Sequence, residues 1–389
     1  MPDTGLKVRL HQLAPIPLEV ELECAPHEML ALVGPSGSGK STVLRAIAGL
    51  ARPADGAIEC NGVTWFDAAA GIALTPRQRR IGFVFQHYGL FPHLTALANV
   101  MESLVELPRD VREHRARDLL ARVHLDGLEK RLPAQLSGGQ QQRVAVARAL
   151  AREPNVLLLD EPFAAVDRST RERLYTELAE LRREFGIPVV LVTHDLDEAS
   201  MLADRMSVLY QGRTLQSGAP FEVITRPCSA QVAQLVGLKN VFRAGVIGHF
   251  PERGETLIEW RRHRLKTPLQ ASFPVGGQVT WAISQGQLVL LARGHTADAG
   301  DDNVVHGVVL QFVRLGNNAA ITVAVGGAGR PPLFMSVPLH VAQQHGIAAG
   351  SEVSVSMRPE GIQLMPADTD GHAEAHQGRR MQPASDLVE

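Results

Sequence analysis

The sequence predicts an α/β domain with a parallel sheet, followed by a smaller domain built from β-strands, and three observations predict this. First, the apolar run Met29–Val33 leads into a glycine-rich segment, and a stretch with helical apolar spacing follows it. Second, two more apolar runs, near residues 156 and 189, lead into charged or polar side chains, a pattern typical of buried parallel strands. Third, beyond residue 241 the pattern changes to short β-type runs separated by glycine-rich turns.

The glycine-rich segment Gly34–Ser41 reads G-P-S-G-S-G-K-S and matches the pattern G-x-x-x-x-G-K-[ST]. A strand, a glycine loop and a helix form the arrangement that a phosphate-binding loop needs. Glycines let backbone N–H groups turn toward an anion, and the start of the helix adds its positive dipole end. Lys40 would reach the β- and γ-phosphates, and the Ser41 hydroxyl would ligate Mg²⁺. The chain is therefore predicted to bind a nucleotide.

Composition limits the classes of protein that remain. At 389 residues the chain is long enough for two or three domains. The net charge of −2 argues against a broad basic surface for nucleic acid, and no apolar run reaches the length of a membrane span. The first residues lack the apolar core of a signal peptide. Three separated cysteines form neither a metal pattern nor a disulfide framework, which fits a reducing compartment.

The segments around the glycine loop are predicted as β-structure, including a hairpin at Asn61-Gly62. No aromatic residue precedes Gly34, so His11 is the nearest planar side chain that could stack on an adenine base. An exposed histidine on an edge strand accounts for His11 equally well. The predicted strands are Leu6–Leu10, Leu18–Glu23, Ala57–Cys60 and Val63–Phe66.

Gln86 ends the run Ile81–Gln86, which is predicted as a buried strand. Ligands in α/β sheets lie beyond the carboxyl ends of the strands, so a glutamine beside the phosphate loop is placed to sense Mg²⁺ and the attacking water. Residues 87 to about 132 have helical character, and their basic run 109–117 predicts a solvated helix face. The Leu- and Phe-rich part, Phe85–Val100, is a candidate docking surface.

A second helix start with phosphate-binding character occurs at Leu136–Gln140, which reads L-S-G-G-Q. Ser137 can cap the helix that is predicted from Gln141 to Arg152, and two glycines allow the backbone to approach an anion closely. An ordinary capped helix is the alternative. Two phosphate-type helix starts in one domain favour the anion-binding interpretation.

Two carboxylates, Asp160 and Glu161, follow a fully apolar strand. Asp160 suits water-mediated Mg²⁺ binding, and Glu161 suits polarising the attacking water. A structural ion pair is the alternative. Another predicted strand, Pro188–Thr193, leads directly to His194, whose neutral imidazole could hydrogen-bond the γ-phosphate.

Together these motifs resemble the ATP-binding cassette (ABC) ATPases in order and spacing, over roughly residues 1–235. The resemblance implies a P-loop NTPase fold with a RecA-like core, an antiparallel β subdomain and a helical subdomain, and an enzyme that hydrolyses ATP. One departure is the D-loop, where Ala164 and Val166 stand at positions that are usually Ser and Leu. The matching segments are the P-loop at Gly34–Ser41, the Q-loop at Gln86, the signature at Leu136–Gln140, Walker B at Val156–Asp160 with Glu161, the D-loop at Ala164–Asp167 and the switch His194.

The resemblance also implies a head-to-tail homodimer that binds ATP and Mg²⁺, with the signature of one subunit closing on ATP held by the P-loop of the other. A single nucleotide needs only one phosphate-facing helix start from its own chain, which agrees with this arrangement. Glu161 would be the catalytic base, with His194 and Gln86 as further catalytic residues, and Ser41, Gln86 and Asp160 would position Mg²⁺. The residues expected to bind ATP are Gly34, Pro35, Ser36, Gly37, Ser38, Gly39, Lys40, Ser41, Thr42, Ser137, Gly138, Gly139, Gln140 and Asp167.

The region 241–366 has the strand pattern of a small barrel, and Met357–Glu360 resembles the TOBE (oligonucleotide-binding-fold-like, Mop-type) domains of importer ATPases. The resemblance implies a regulatory domain that could bind the transported oxyanion. Residues 281–288 and 356–364 echo each other as strand, polar turn and strand, which suggests an internal repeat. Residues 367–389 are predicted not to fold. The predicted strands are Val279–Ile283, Gln287–Leu291, Val304–Phe312, Ala319–Val325 and Val353–Met357.

A cassette followed by such a barrel resembles the ATPase subunit of a bacterial importer. The resemblance implies a peripheral location on the cytoplasmic face of the inner membrane, with integral-membrane permease subunits and, indirectly, a periplasmic solute-binding protein as partners and no nucleic acid. Asp67–Gln86 resembles molybdate importers most, and Gln86–Phe91 also resembles sulfate importers. Molybdate is the expected solute, and sulfate, thiosulfate or another small solute is the alternative.

Two other classes of function fit the sequence less well. Soluble cassette proteins that act on nucleic acid or ribosomes usually carry a long coiled-coil insertion, zinc-type cysteine pairs or two fused cassettes, and this sequence shows none of them. A regulatory module without turnover is disfavoured because Glu161 and His194 are present.

Overall fold

The computed structural model describes residues 5–14, 16–164, 166, 171, 174–176, 178–180, 186–291, 303–326 and 331–367. The chain divides into two compact units, Met1–Val223 and Ile224–Glu389. The sequence placed the boundary later, between residues 235 and 241. Helix Ala230–Leu235 lies in the second unit because it contacts two strands there. The tail expected not to fold lies outside the described residues, apart from Ala367.

An eleven-stranded sheet organises the first unit. Its strands are β1 Leu6–Gln12, β2 Leu18–Cys24, β3 Met29–Val33, β4 Asp55–Cys60, β5 Val63–Asp67, β6 Ile72–Ala73, β7 Ile81–Val84, β8 Val156–Asp160, β9 Val189–Thr193, β10 Arg205–Tyr210 and β11 Arg213–Gly218. They lie in the order β6-β5-β4-β1-β2-β11-β10-β3-β9-β8-β7. From β10 to β7 neighbouring strands are parallel, and from β6 to β2 they are antiparallel.

Burial explains this division of the sheet. Strands β3, β8 and β9 are buried at every residue, because helices contact the parallel part of the sheet. Strands β1 and β2 alternate between buried and exposed residues, as strands with one face on a core do. The sequence-based strands of this unit, including the Asn61-Gly62 hairpin, are confirmed except one: the strand predicted over Ile81–Gln86 ends at Val84, and Phe85 and Gln86 are exposed beyond it. His11 does not lie on an edge strand, because β1 pairs with both β2 and β4.

The helical prediction for residues 87–132 is only partly right. Residues 85–95 form a loop of turns, in which Tyr88 and Gly89 have positive φ angles of 61° and 56°. Pro92 and Pro108 interrupt the segment, because proline and the residue before it disfavour helix continuation. The described helices that begin in this unit are α1 Lys40–Ala48, α2 Pro76–Arg79, α3 Ala96–Met101, α4 Arg109–Arg122, α5 Gly138–Leu150, α6 Leu196–Leu202 and α7 Pro220–Thr225.

The described residues of the second unit form two five-stranded antiparallel sheets. Its elements are α8 Ala230–Leu235, β12 Asn240–Phe250, β13 Glu255–Trp260, β14 His263–Pro268, β15 Gln278–Ile283, β16 Leu288–Leu291, β17 Val304–Leu315, β18 Asn318–Val325, β19 Leu333–Pro338, α9 Leu339–Gln344, β20 Glu352–Met357 and β21 Ile362–Pro366. The strand orders are β14-β13-β12-β15-β21 and β16-β20-β17-β18-β19. Both sheets contribute to one hydrophobic cluster, in which the rings of Phe242, Trp260 and Trp281 pack in tilted and edge-to-face contacts at centroid distances of 4.9–5.2 Å.

The two stretches that echo each other in the sequence are both strand–turn–strand units, as predicted. One runs from β15 to β16 and the other from β20 to β21, each through a short 3₁₀ turn. The two strand–turn–strand segments pair with each other, because β15 lies beside β21 and β16 lies beside β20. Each segment therefore crosses from one sheet to the other. Among the described residues, no helix is long and apolar enough to cross a membrane.

Candidate active site

The phosphate loop, Gly34–Ser41, connects β3 to α1. Gly37 and Gly39 have φ angles of 80° and 100°, in the left-handed region that favours glycine. A Cβ atom on Gly34 would lie 2.1 Å from the Leu209 carbonyl oxygen, so no other residue fits there. Gly39 caps α1 without a side-chain hydrogen bond. The first N–H groups of α1 therefore remain available to an anion.

Lys40 and Ser38 present polar groups that a phosphate would satisfy. The Lys40 side chain is 5% exposed, and its Nζ donates to the carbonyl oxygens of Gly34 at 2.8 Å and Pro35 at 2.9 Å. Burial lowers the pKa of Lys40, and the nearby Glu161 and Asp160 carboxylates oppose that shift. The Ser38 hydroxyl is buried, and within the described part of the chain it has no hydrogen-bond partner. An orphaned hydroxyl and a buried ammonium fit a nucleotide phosphate.

Asp160 and Ser41 form a compact pair of oxygen ligands. Ser41 Oγ donates to Asp160 Oδ1 at 3.0 Å, which joins the start of α1 to the carboxyl end of β8. Burial raises the pKa of Asp160, and the Ser41 hydrogen bond opposes that shift. A hydroxyl and a carboxylate at this separation match the oxygen ligands that Mg²⁺ prefers.

Glu161 brings the expected catalytic side chains together. Gln86 Nε2 donates to Glu161 Oε2 at 3.3 Å, and His194 Nδ1 lies 3.4 Å from Glu161 Oε1. The Glu161 backbone has a φ of 46°, an uncommon value for a non-glycine residue, and its N–H donates to the Val192 carbonyl on β9 at 2.9 Å. The carboxyl ends of three parallel strands therefore deliver Gln86, Glu161 and His194 to one place.

The signature segment, Leu136–Gln140, is not part of this cluster. Ser137 caps α5: its Oγ accepts from the Gln140 N–H at 3.3 Å, and the Gln140 side-chain oxygen accepts from the Ser137 N–H at 2.9 Å. This capping box confirms the prediction for Ser137. No hydrogen bond or ion pair of the described residues joins the signature segment to the phosphate loop. Asp167 lies outside the described residues.

Sequence reasoning missed a buried network behind His194. Glu198 is 4% exposed; its carboxylate accepts hydrogen bonds from the Thr193 hydroxyl and, at 3.2 Å, from the Tyr175 hydroxyl. Burial raises the pKa of Glu198. Thr193 Oγ1 also accepts from the Asp195 N–H at 3.0 Å, so the residues on both sides of His194 are fixed. The available signal was the acid four residues after His194, on the first turn of α6.

The loop after Gln86 is held firmly but exposes aromatic rings. Asn99 is fully buried; its side chain bonds three carbonyls and one N–H of residues 91–95. Arg148 donates to two further loop carbonyls at 2.7 and 2.9 Å. Phe85 and Phe91 are nevertheless 45% and 42% exposed. Residues 85–95, the braced loop, therefore form a surface with two exposed rings that is suited to a partner.

Comparison with known proteins agrees with this geometry. The family model described as "ABC transporter" matches residues 18–164, and the model described as "TOBE domain" matches residues 269–375. Residues 18–164 include the phosphate loop, Gln86, the signature segment, Asp160 and Glu161.

The most informative relatives are import ATP-binding proteins. The chain is 47% identical over 292 residues to the sulfate/thiosulfate import ATP-binding protein CysA 1 of Rhizobium meliloti, covering 74% of this chain and 80% of that protein. It is 38% identical over 347 residues to CysA of Brucella melitensis, covering 87% and 89%. It is also 38% identical over 381 residues to the spermidine/putrescine import ATP-binding protein PotA of Acidothermus cellulolyticus, covering 96% and 93%.

A solved structure shows the same cassette fold. It is cbiO1 from Clostridium perfringens, described as part of the ABC transporter complex cbiONQ, with 31% identity and a TM-score of 0.51. The match covers 57% of this chain and 90% of that one. With its phosphate loop, paired carboxylates, signature segment and following TOBE domain, the chain belongs to the ATP-binding subunits of ABC transporters and is an ATPase of that family.

Proposed function

We propose that this chain powers the import of an inorganic oxyanion, sulfate or thiosulfate. The observation that carries the proposal is the 47% identity to a sulfate/thiosulfate import protein over 74% of the chain. The polyamine relative covers more of the chain but at 38% identity. The relatives described above do not support the sequence-based expectation of molybdate, which depended on residues 67–86. Sulfate is the better supported solute, and the segment Gln86–Phe91 resembles sulfate importers.

Solute uptake by the host tests this proposal. Deleting the gene should abolish most high-affinity uptake of radiolabelled sulfate, and the wild-type gene should restore it, whereas the Glu161→Gln variant should not. Molybdate uptake by the same cells provides the matched comparison. Normal uptake of both sulfate and thiosulfate in the deletion strain, or loss of molybdate or polyamine uptake alone, would contradict the proposal.

For ATP hydrolysis, the geometry supports a division of roles among the clustered residues. Lys40, the Ser38 hydroxyl and the N–H groups at the start of α1 bind the β- and γ-phosphates. Glu161 Oε accepts the proton of the water that attacks the γ-phosphorus, and ADP leaves. His194 and Gln86, which both contact Glu161, orient the γ-phosphate and that water. Mg²⁺, held by Ser41 and Asp160, would neutralise charge on the phosphates.

We also propose that a second copy of the chain completes each ATP site. Within one chain the signature segment makes no hydrogen bond with the phosphate loop among the described residues. Ser137 is exposed and Gly138 is half-buried, so the Ser137 hydroxyl and the start of α5 are accessible to ATP bound by a partner. The expected roles of Gln140 in trans and of Asp167 stay predictions.

The partner of the braced loop would be an integral-membrane permease, and the ATPase would then lie on the cytoplasmic face of the membrane. Exposed Phe85 and Phe91 supply the contact surface, and Gln86 next to them reaches Glu161. A displacement of this loop by the permease would therefore move Gln86 and, through its hydrogen bond, the Glu161 carboxylate. A photocrosslinker at Phe91 should capture a permease subunit, and capture of nucleic acid instead would contradict this assignment. The oxyanion site expected in the second unit stays a prediction, as does the periplasmic binding protein.

A further inference from the structure

A buried arginine lies at the opposite end of α1 from the phosphate loop. Arg79, the last residue of α2, is 2% exposed. Burial alone lowers its pKa to about 10, so the guanidinium stays charged at neutral pH. Within the described part of the chain, no carboxylate is paired with it. A buried charge without an acidic partner needs another source of stabilisation.

The carbonyl oxygens at the end of α1 supply that stabilisation. Arg79 Nη1 donates to the carbonyls of Ala46 and Ile47, both at 2.7 Å, and Nε donates to the carbonyl of Leu74 at 2.9 Å. The last carbonyls of a helix lack intrahelical partners and form its negative dipole end, so a cation fits there. The guanidinium also lies 5.8 Å from the centroid of the Trp65 ring, within the range of a cation–π contact.

Gly49 is the residue that leaves room for this contact. It follows α1 with a φ of 75°, and its N–H bonds back to the helix. A Cβ atom there would lie 3.0 Å from Arg79 Nε and 3.1 Å from Cζ. Gly49 therefore both ends the helix and admits the guanidinium.

The backbone of Arg79 is tied to the strands that deliver the catalytic residues. Arg79 is two residues before β7, which leads to Gln86. Its carbonyl accepts from the Asn155 side chain at 3.0 Å, at the start of β8, and β8 ends on Asp160. The far end of α1 is thus fixed to the starts of β7 and β8 by Arg79. The start of α1 is fixed to the carboxyl end of β8 by the Ser41–Asp160 hydrogen bond.

We propose that Arg79 is a positioning residue for ATP hydrolysis. It fixes the position of α1 relative to β7 and β8, so that the phosphate-binding residues on α1 face the catalytic side chains that follow those strands. It acts through the helix rather than by touching ATP, because α1 is nine residues, or about 13 Å, long. The phosphate loop is built from its own local backbone and should still bind ATP when Arg79 is changed. The bound phosphate should instead be misaligned with the catalytic side chains, which lowers the rate of hydrolysis.

The test compares Arg79→Lys and Arg79→Met in the full chain with a control on the same helix, Arg77→Met. Arg77 is exposed, and among the described residues its side chain pairs with Glu106 at 2.6 Å. Lysine keeps the charge of Arg79 but cannot reproduce three hydrogen bonds in a planar fork. The measurements are kcat with saturating Mg²⁺ and ATP, and ATP affinity without Mg²⁺ by calorimetry. Both are made well below the melting temperature of each variant.

We expect kcat of Arg79→Lys to fall about tenfold or more, because small misplacements of reacting groups have large effects. ATP affinity without Mg²⁺ should stay within about twofold of the wild type, since the phosphate loop lies at the other end of α1 and Arg79 makes none of the Lys40 and Ser41 hydrogen bonds. Arg77→Met should change neither quantity. If Arg79→Met does not fold, Arg79→Lys decides the matter. An unchanged kcat would overturn the proposal by showing a purely structural role. A loss of Mg²⁺-free ATP affinity equal to the loss of kcat would overturn it by showing damage to the phosphate loop itself.

Discussion

The two helix starts with phosphate-binding character, at α1 and α5, differ in what already occupies them. At α1 no side chain caps the helix, the Ser38 hydroxyl is buried without a partner among the described residues, and Lys40 rests on two carbonyl oxygens. At α5 Ser137 and Gln140 satisfy each other in a capping box. The first site is assembled within one chain, with polar groups that an anion would satisfy. The second is stable alone, so it is suited to approach a ligand that another chain holds.

The largest expected effect comes from removing the catalytic base beside the first site. Glu161→Gln keeps the shape of the side chain but cannot accept the proton of the attacking water, so kcat should fall by about a thousandfold. ATP binding should persist and should trap a dimer in the presence of Mg²⁺, seen by size-exclusion chromatography with light scattering. Glu153→Gln, at an exposed ion pair with Arg115, is the matched control. A monomer throughout would contradict the shared site.

Lys40→Ala should weaken ATP binding by about a hundredfold, which equals about 2.7 kcal/mol. The reason is that the variant removes the buried ammonium that faces the phosphates. Calorimetric titration measures the affinity. Lys130→Ala, at an exposed position, should bind like the wild type. Unchanged affinity in Lys40→Ala would refute the assignment of the phosphate loop.

Ser137→Ala examines the second helix start. Loss of the cap should destabilise the chain by about 1 kcal/mol. If Ser137 also contacts ATP in trans, kcat should fall about tenfold as one charge-assisted hydrogen bond is lost. Ser229→Ala is a matched control, because Ser229 caps α8 by accepting from the Val232 N–H at 3.2 Å. The control should lose similar stability with unchanged kcat. Equal kinetics in the two variants would mean that Ser137 serves only as a cap.

The smallest expected effect concerns the orphaned hydroxyl of the phosphate loop. Ser38→Ala removes a buried polar group that has no partner in the described residues, so the nucleotide-free chain should gain about 1 kcal/mol of stability. ATP affinity should fall about fivefold, since a phosphate oxygen would lose one donor. Urea unfolding and calorimetry measure the two quantities. A loss of stability without ATP would show that the hydroxyl already has a partner.

The features that sequence predicted correctly are those encoded in short continuous segments. The phosphate loop, the Ser137 cap and the run into Asp160 and Glu161 depend on glycine geometry, capping chemistry or strand burial within a few residues. The phosphate loop and the two carboxylates meet at one sheet edge because their strands are parallel, which the apolar runs indicate.

The features that sequence missed depend on contacts between distant residues. Arg79 bonds the end of α1 more than 30 residues earlier, and Glu198 bonds Tyr175 on a different segment. Asn99 and Arg148 hold a loop that residue composition alone marked as helical. The partners of Arg79, Arg148 and Tyr175 lie more than 20 residues away, so no local pattern identifies those contacts.

The central claim is that two copies share each ATP site, and a disulfide crosslink tests it most directly. One chain carries Ser36→Cys in the phosphate loop and the other carries Ser137→Cys, both in a Glu161→Gln background with the exposed Cys228 replaced by serine. The remaining cysteines, Cys24 and Cys60, are buried. A crosslinked dimer should form on mild oxidation in the mixture only when ATP and Mg²⁺ are present. No crosslink in that mixture, with an intramolecular disulfide in a chain that carries both substitutions, would contradict the shared site.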